Sequence, residues 1–327
     1  MSAPRKTFVR WLVLTLAASA AALGLARTDW QRALESLYYD YWHVLAGKRY
    51  EPTNTVLVSV DDATLLAYKD DPLAFWAPHW ARAVDVLGKA GVKAIGLDFI
   101  YLVSAESWLR KLNLPDTKIS REYDSAFRAA LAQGKTVLIT HLVELPDGNL
   151  DLLQPPDDQR LLLPGGVKDL GIANLYPDPD KHVRGFYPVM IPDPAFPGVA
   201  FNMQLALRAA GADAGASEWR IAGTTLKREL KRYPISYAGP SGSIPRVSML
   251  ELLQPDALDK PAIQALKGKV AIIGLDAAGN SDRHFTPYSR MVPFVSDQAD
   301  QMPGAEIHAN IVETILSGRY PRPLPLV

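Results

Sequence analysis

Two hydrophobic periods alternate along this chain. Residues 56–60 (VLVSV) form a short β-branched run closed by Asp61-Asp62, and residues 94–99 (AIGLDF) form a second, with Asp98 near its end. Between them Trp80, Val84 and Leu87 recur at helical spacing until Ala90-Gly91, where Gly91 supplies the left-handed residue that ends a helix. A strand, crossover helix, strand unit of this length allows parallel pairing. The unit recurs: Tyr123, Phe127, Ala130 and Leu131 mark a helix stopped by Gly134 before a strand over 136–143. Residues 261–266 read as a short helix ahead of a strand over 270–274 (VAIIG). The last helix spans 306–317, with Ile307, Ile311 and Ile315 on one face and Gly318 as its stop. Strands this apolar are covered by helices on both faces. The middle, 161–246, differs: residues 172–175, 185–191 and 235–237 are shorter strands between Pro, Gly and Asp turns, expected to extend the same sheet antiparallel.

The start of the chain has another pattern. The first ten residues carry Arg5, Lys6 and Arg10 with no acid, and the sixteen from Trp11 to Ala26 carry no charge before Arg27 closes the run. A bilayer-spanning helix needs about 20 apolar residues; Phe8 and Val9, with Arg10 reaching toward the headgroups, lengthen the run. The expected layout is a cytoplasmic tip over 1–10 and a transmembrane signal-anchor helix over 11–27, oriented by the positive-inside rule. A cleaved secretory signal ending near Gly24-Leu25-Ala26 is the alternative. Thr28 to Gln31 gives a capping-box pattern, after which Trp30, Leu34, Leu37, Tyr41 and Leu45 recur every three or four residues, so the helix runs on. The exported domain is expected over 28–323. The proline-rich exit ends in apolar residues, so 324–327 read as the start of a second membrane segment. The predicted fold class is therefore α/β, a mainly parallel sheet covered by helices with an antiparallel extension, preceded by an N-terminal transmembrane helix.

Composition removes several functions. The 327 residues hold 35 basic and 35 acidic side chains, six histidines and no cysteine. A neutral total gives no basic face for nucleic acid, and without cysteine there is no thiol nucleophile, redox pair or Cys-based zinc site. No G-x-S-x-G elbow is present. The loop 274–281 has the glycine spacing of a phosphate loop, but Asn280 stands where the lysine belongs. Asp178-Pro179-Asp180 starts like a calcium loop, yet its twelfth position is Val189, so a turn is expected. Glu306 and His308, two apart, point to different sides of a helix. His43 sits on a helix among aromatics and His79 opens a helix, neither at a ligand spacing. No catalytic residue and no cofactor are expected.

Carboxylates at strand ends are the remaining chemistry. Asp61 and Asp62 follow one strand, Asp98 ends another, His141 follows Thr140 in a third, and Asp276 follows Gly274 in a fourth. Ligands of open parallel sheets settle outside the carboxyl ends of strands, and such a cluster suits a cation or the amino group of a small ligand. The same aspartates could instead cap helices and hold loops.

The order of these pieces resembles the second type of the CHASE family, the cyclase- and histidine-kinase-associated sensing extracellular domains of bacterial receptors. The resemblance covers about 34–323 and rests on Tyr39-Asp40, on Val58 to Asp62 with Thr64-Leu65, and on Ala90 to Asp98. It is strongest at the end: Leu266 to Gly274, then Asp282, Thr286-Pro287 and Pro303 to Asn310. His79 stands where arginine is usual, Lys181 replaces the glycine expected after Asp180, and 288–302 is a long insertion. The resemblance implies a sensor rather than a catalyst, in the inner membrane with its main domain in the periplasm or outside the cell. It would pass a signal through membrane helices to a cytoplasmic output module, first an adenylate or guanylate cyclase, otherwise a histidine kinase, a serine/threonine kinase or a diguanylate cyclase. Asp282 and His308 join Asp61, Asp62, Asp98, His141 and Asp276 as candidates for binding a small molecule or ion. Membrane lipid at the N-terminal helix and a second copy in a homodimer are the other expected partners. Two rivals stay open: an envelope-anchored metal-dependent hydrolase using Asp61, Asp98 and Asp282 with His284 or His308, and a structural subunit of a surface assembly.

Overall fold

A computed structural model describes residues 3–25, 29–100, 102–112, 118, 122–191, 198–291 and 300–321. Arg27, Thr28 and the exit segment 324–327 lie outside the described residues.

Helix α1 (Ala3–Leu25) is followed by α2 (Asp29–Ala46), which leads into β1 (Thr55–Val60). Helices α3 (Asp62–Ala67) and α4 (Ala77–Lys89) cross to β2 (Ala94–Leu97). Helices α5 (Ala105–Lys111) and α6 (Ser125–Leu131) lead to β3 (Thr136–Glu144), β4 (Leu150–Leu153) and β5 (Leu170–Ile172). After β6 (Gly185–Phe186) come α7 (Phe201–Ala210), the hairpin β7 (Glu218–Ile221) and β8 (Thr224–Lys227), and β9 (Tyr233–Pro234). The chain continues through β10 (Arg246–Ser248), α8 (Met249–Leu253), α9 (Pro261–Gln264) and β11 (Val270–Leu275). It closes with β12 (Arg283–His284), β13 (Met302–Pro303) and α10 (Gly304–Ser317).

The sheet runs β10-β1-β11-β2-β3 in parallel, and β5 pairs parallel with β3. Its strands are buried because helices cover both faces. Val56, Val58, Ile95, Leu97 and Ile273 pack with Trp80, Val84 and Leu87 of α4 and Phe127 of α6. Leu57, Ala94, Val137, Ile139 and Ile272 pack with Phe201 and Leu205 of α7 and Ile307 and Ile311 of α10. The chain first steps outward from β1 to β2 and β3, then returns to insert β11 between β1 and β2. That reversal is a topological switch point.

Two expectations change. The antiparallel strand on this sheet is β4, paired through Leu150–Leu153 with the far half of β3. The short strands of the middle do not extend it: β5 joins in parallel, while β6 with β9 and β7 with β8 form separate two-stranded pieces. Period-two patterning sets which residues face inward but not which partner a three-residue strand takes. The second change concerns the N-terminus. Among the described residues no helix is long and apolar enough to cross a membrane, so the transmembrane helix expected over 11–27 is not supported by them. The expected helix is present as α1, but it takes up Arg5, Lys6 and Arg10, and the uncharged run beyond them is sixteen residues.

Helix α10 is buried on every side from Gly304 to Ile315, and its polar residues answer the backbone around it. Glu306 accepts from Gly242 N (2.8 Å) and Arg246 Nη2 (2.8 Å), and Asn310 Oδ1 from Ala238 N (2.9 Å). Thr314 Oγ1 accepts from Ser236 N (2.9 Å), and Glu313 from Asn54 N (2.9 Å). These pairings leave the irregular segments 236–246 and 53–55 with satisfied N–H groups in a dry interior.

Candidate functional site

Strand register brings the predicted residues to one edge. Leu97 of β2 pairs with Leu138 of β3 and Ile273 of β11, so Asp98 emerges level with Ile139, and His141 lies two residues further along β3. Side chains alternate along a strand, so Asp98 and His141 share the face of Ala94, Val137 and Ile139, under α7 and α10. Helix α7 lies close because Gly171 of β5 has no Cβ; one there would overlap the Phe201 backbone. Gly274 of β11 does the same for α10, where a Cβ would overlap the Cβ of Ala305. The first turns of both helices therefore sit over the strand ends, with Asn202 Nδ2 donating to His308 Nδ1 at 3.1 Å. Asn202 is a residue that sequence reasoning missed; its position is set by helix-to-sheet packing alone.

Asp98, His141, Asp282, His284 and His308 form one electrostatic group. The hydrogen bond from His284 Nε2 (2.8 Å), with His308 and His141 nearby, holds the Asp282 carboxyl below the usual range. Burial, reinforced by the Asp282 charge, pushes the Asp98 carboxyl up to about 8. Burial lowers His308 to about 4, opposed by Asp282 and by a hydrogen bond to the Ala173 backbone, and burial lowers His141 as well. Near neutral pH the edge thus presents a protonated Asp98, neutral imidazoles at His141 and His308, and an ionised Asp282. Asn202 is buried, yet its Oδ1 has no hydrogen-bond partner among the described residues. A buried acceptor of this kind is ordinarily completed by an ordered water or a bound group.

The other three candidates follow the ends of β1 and β11 at the same side of the sheet but have partners of their own. Asp61 caps α3, accepting Thr64 N at 2.8 Å and Thr64 Oγ1 at 2.6 Å. Asp62 accepts Ala278 N at 3.2 Å. Asp276 pairs with Arg246 Nη1 (2.6 Å) and Arg283 Nη2 (3.3 Å). The donors named for a metal-dependent hydrolase do not converge: among the described residues, three ligand groups come within 4.8 Å of one another at Asp40, Asp180 and His182. There the two carboxylates are already held by arginine.

That arginine network was not foreseen. Asp40 of α2 is fully buried and accepts Arg184 Nε (2.8 Å), Arg184 Nη2 (2.6 Å) and Arg290 Nη2 (2.7 Å). Arg184 also reaches Asp178 (2.8 Å) and Asp180 (2.7 Å). An acid within the otherwise aliphatic and aromatic stretch 37–45 was the available signal, since a charge on the inward face of such a helix must be paired. Beside the network lies a cavity of about 420 Å³, lined by Glu35, Ser36 and Tyr39 of α2 and by Asp178, Arg184 and Arg232. The turn Asp178-Pro179-Asp180 thus serves an ion-pair hub, and Lys181 after it has φ +67°, a left-handed conformation that favours glycine.

Neither the curated proteins nor the solved structures compared with this chain include a match. A family model does match, over residues 13–326, and it takes in both the strand-end group and the arginine network. Asp98, Asp282 and His308, which the fold gathers at one edge, come from three separate motifs of the sequence resemblance. The chain belongs to the CHASE2 domain family, a family of extracellular sensory domains.

Proposed function

We propose that this chain is the signal-input domain of a membrane receptor, in which a small molecule or ion held at the strand-end edge changes how α2 is packed. The observation that carries this reading is the buried, unpartnered Oδ1 of Asn202 beside His308, at the carboxyl ends of β2 and β3. A contiguous route from that edge to α2 supports it. His308 lies two residues before Asn310, whose Oδ1 takes the Ala238 N–H. The Ala238 carbonyl accepts Arg49 N at 2.7 Å, and Tyr39 OH donates to the Ile235 carbonyl at 3.3 Å. Helix α2 is then a two-state element that both the ligand and the membrane side can bias.

The domain is placed in the periplasm, with attachment to the inner membrane through the uncharged run of residues 11–26. The output module is a cytoplasmic adenylate or guanylate cyclase. The test is cyclic-nucleotide output of the receptor in its native gene context, with Asp98→Asn and Asp282→Asn. Both variants, folded by circular dichroism, are expected to lose the response to stimulus. Unchanged basal and stimulated output in both refutes the strand-end reading.

A further inference from the structure

The described part of α2 has two unlike faces. Tyr39, Asp40 and His43 turn inward, where Asp40 meets Arg184 and Arg290 and the His43 ring lies 4.2 Å from Tyr39 and 5.5 Å from Tyr288. The opposite face carries Leu34, Tyr38, Trp42 and Leu45, which are 51 %, 64 %, 68 % and 55 % exposed. Spacings of four, four and three residues put them on one stripe, about 17 Å long at the helical rise. The recurrence of Leu34 and Leu45 in the sequence thus marks the outward face and not the core. Rolling α2 far enough to bury the stripe would take Asp40 away from its two guanidiniums.

We infer that this stripe is an interface with a second copy of the chain, α2 against α2 about a two-fold axis. The inference is independent of the strand-end ligand site. At about 150–250 Å² for each aromatic side chain, the stripe exposes roughly 500 Å² per copy, the upper end of what a monomer ordinarily leaves bare. Two copies would bury about 1,000 Å², the lower bound of a specific interface. The contact is therefore reversible, as a signalling helix requires. Charge argues against a lipid headgroup surface as the occupant. Helices that lie on anionic bilayers carry lysine and arginine on their polar face, whereas α2 (Asp29–Ala46) holds the acids Asp29, Glu35 and Asp40 against one cation, Arg32. The next exposed cation, Lys48, is already paired with Glu51 at 2.6 Å. Tyrosine and tryptophan at the centre of the stripe are the residues enriched in protein interface cores.

The absence of cysteine from the chain makes the test direct. Single-cysteine full-length variants Tyr38→Cys and Trp42→Cys are oxidised in membranes beside Lys89→Cys, an exposed control on α4. Disulfide-linked dimer is expected at least tenfold above the control at one or both stripe positions. Trp42→Glu in the cysteine-free chain is expected to raise the dimer dissociation constant at least tenfold in sedimentation equilibrium, with an unchanged circular dichroism spectrum. Cross-linking at control level, or an unchanged dissociation constant for a folded Trp42→Glu protein, overturns the inference. So does binding to phosphatidylglycerol vesicles that Trp42→Glu abolishes while the cross-linking yield stays at control level, since lipid is then the occupant.

Discussion

Replacing Asp40 with alanine removes one carboxylate from between two guanidiniums. Arg184, 8 % exposed, retains Asp178 and Asp180, and Arg290 retains Asp180 at 2.9 Å, so neither cation is left wholly unpaired. Breaking a buried pair from one side costs about 3–5 kcal/mol, and the remaining acids place this case near ~3 kcal/mol. That is a large share of a domain stability of about 5–15 kcal/mol. The contrasting pair is Lys48 with Glu51, whose side chains are 45 % and 75 % exposed; removing Glu51 is expected to cost about 0–1 kcal/mol. Urea unfolding of the full chain at pH 7, followed by tryptophan fluorescence, measures both. A double-mutant cycle with Arg290→Met should return a coupling above about 0.5 kcal/mol, since the two side chains are in contact. A loss below about 1 kcal/mol for Asp40→Ala refutes the argument that the network fixes α2 to the domain.

Four further outcomes are expected. The raised value of Asp98 means the native state holds a proton that the unfolded chain releases, so this group costs stability as the pH rises from the carboxylate range to about 8. Urea midpoints of wild type and Asp98→Asn should diverge in the variant's favour between pH 5 and 8; parallel profiles contradict the burial of that carboxyl. His308, held neutral in the fold, acts in the opposite direction: stability falls as the pH drops from about 6.5 to about 4, and His308→Gln should flatten that limb of the urea profile. Gly171→Ala sets a Cβ into the Phe201 backbone and should cost about 1–3 kcal/mol in thermal or urea unfolding, whereas Gly279→Ala, with nothing within 4 Å, should stay within about 0.5 kcal/mol. Lys181→Gly relieves a left-handed residue and should gain up to about 1 kcal/mol in the same assay.

The sequence by itself determined the α/β class, the parallel strands, read at 56–60, 94–99, 136–143 and 270–274 and found within two residues of those bounds, and the helices between them, because fully apolar strands and helical periods are local signals. The helix stops at Gly91, Gly134 and Gly318 were legible for the same reason, each glycine having the positive φ that its position requires. Tertiary structure alone decided that Asp98, His141, Asp282 and His308 act on one another while Asp61 and Asp276, at the same carboxyl end of the sheet, are taken up by a helix cap and by two arginines. Strand order and helix approach, which no local pattern encodes, set those distances. It also decided the direction of α2. A helix that is apolar or aromatic around most of its circumference does not announce its inward face. Here a buried acid finding two arginines from distant segments fixes the rotation, and with it the stripe left facing outward.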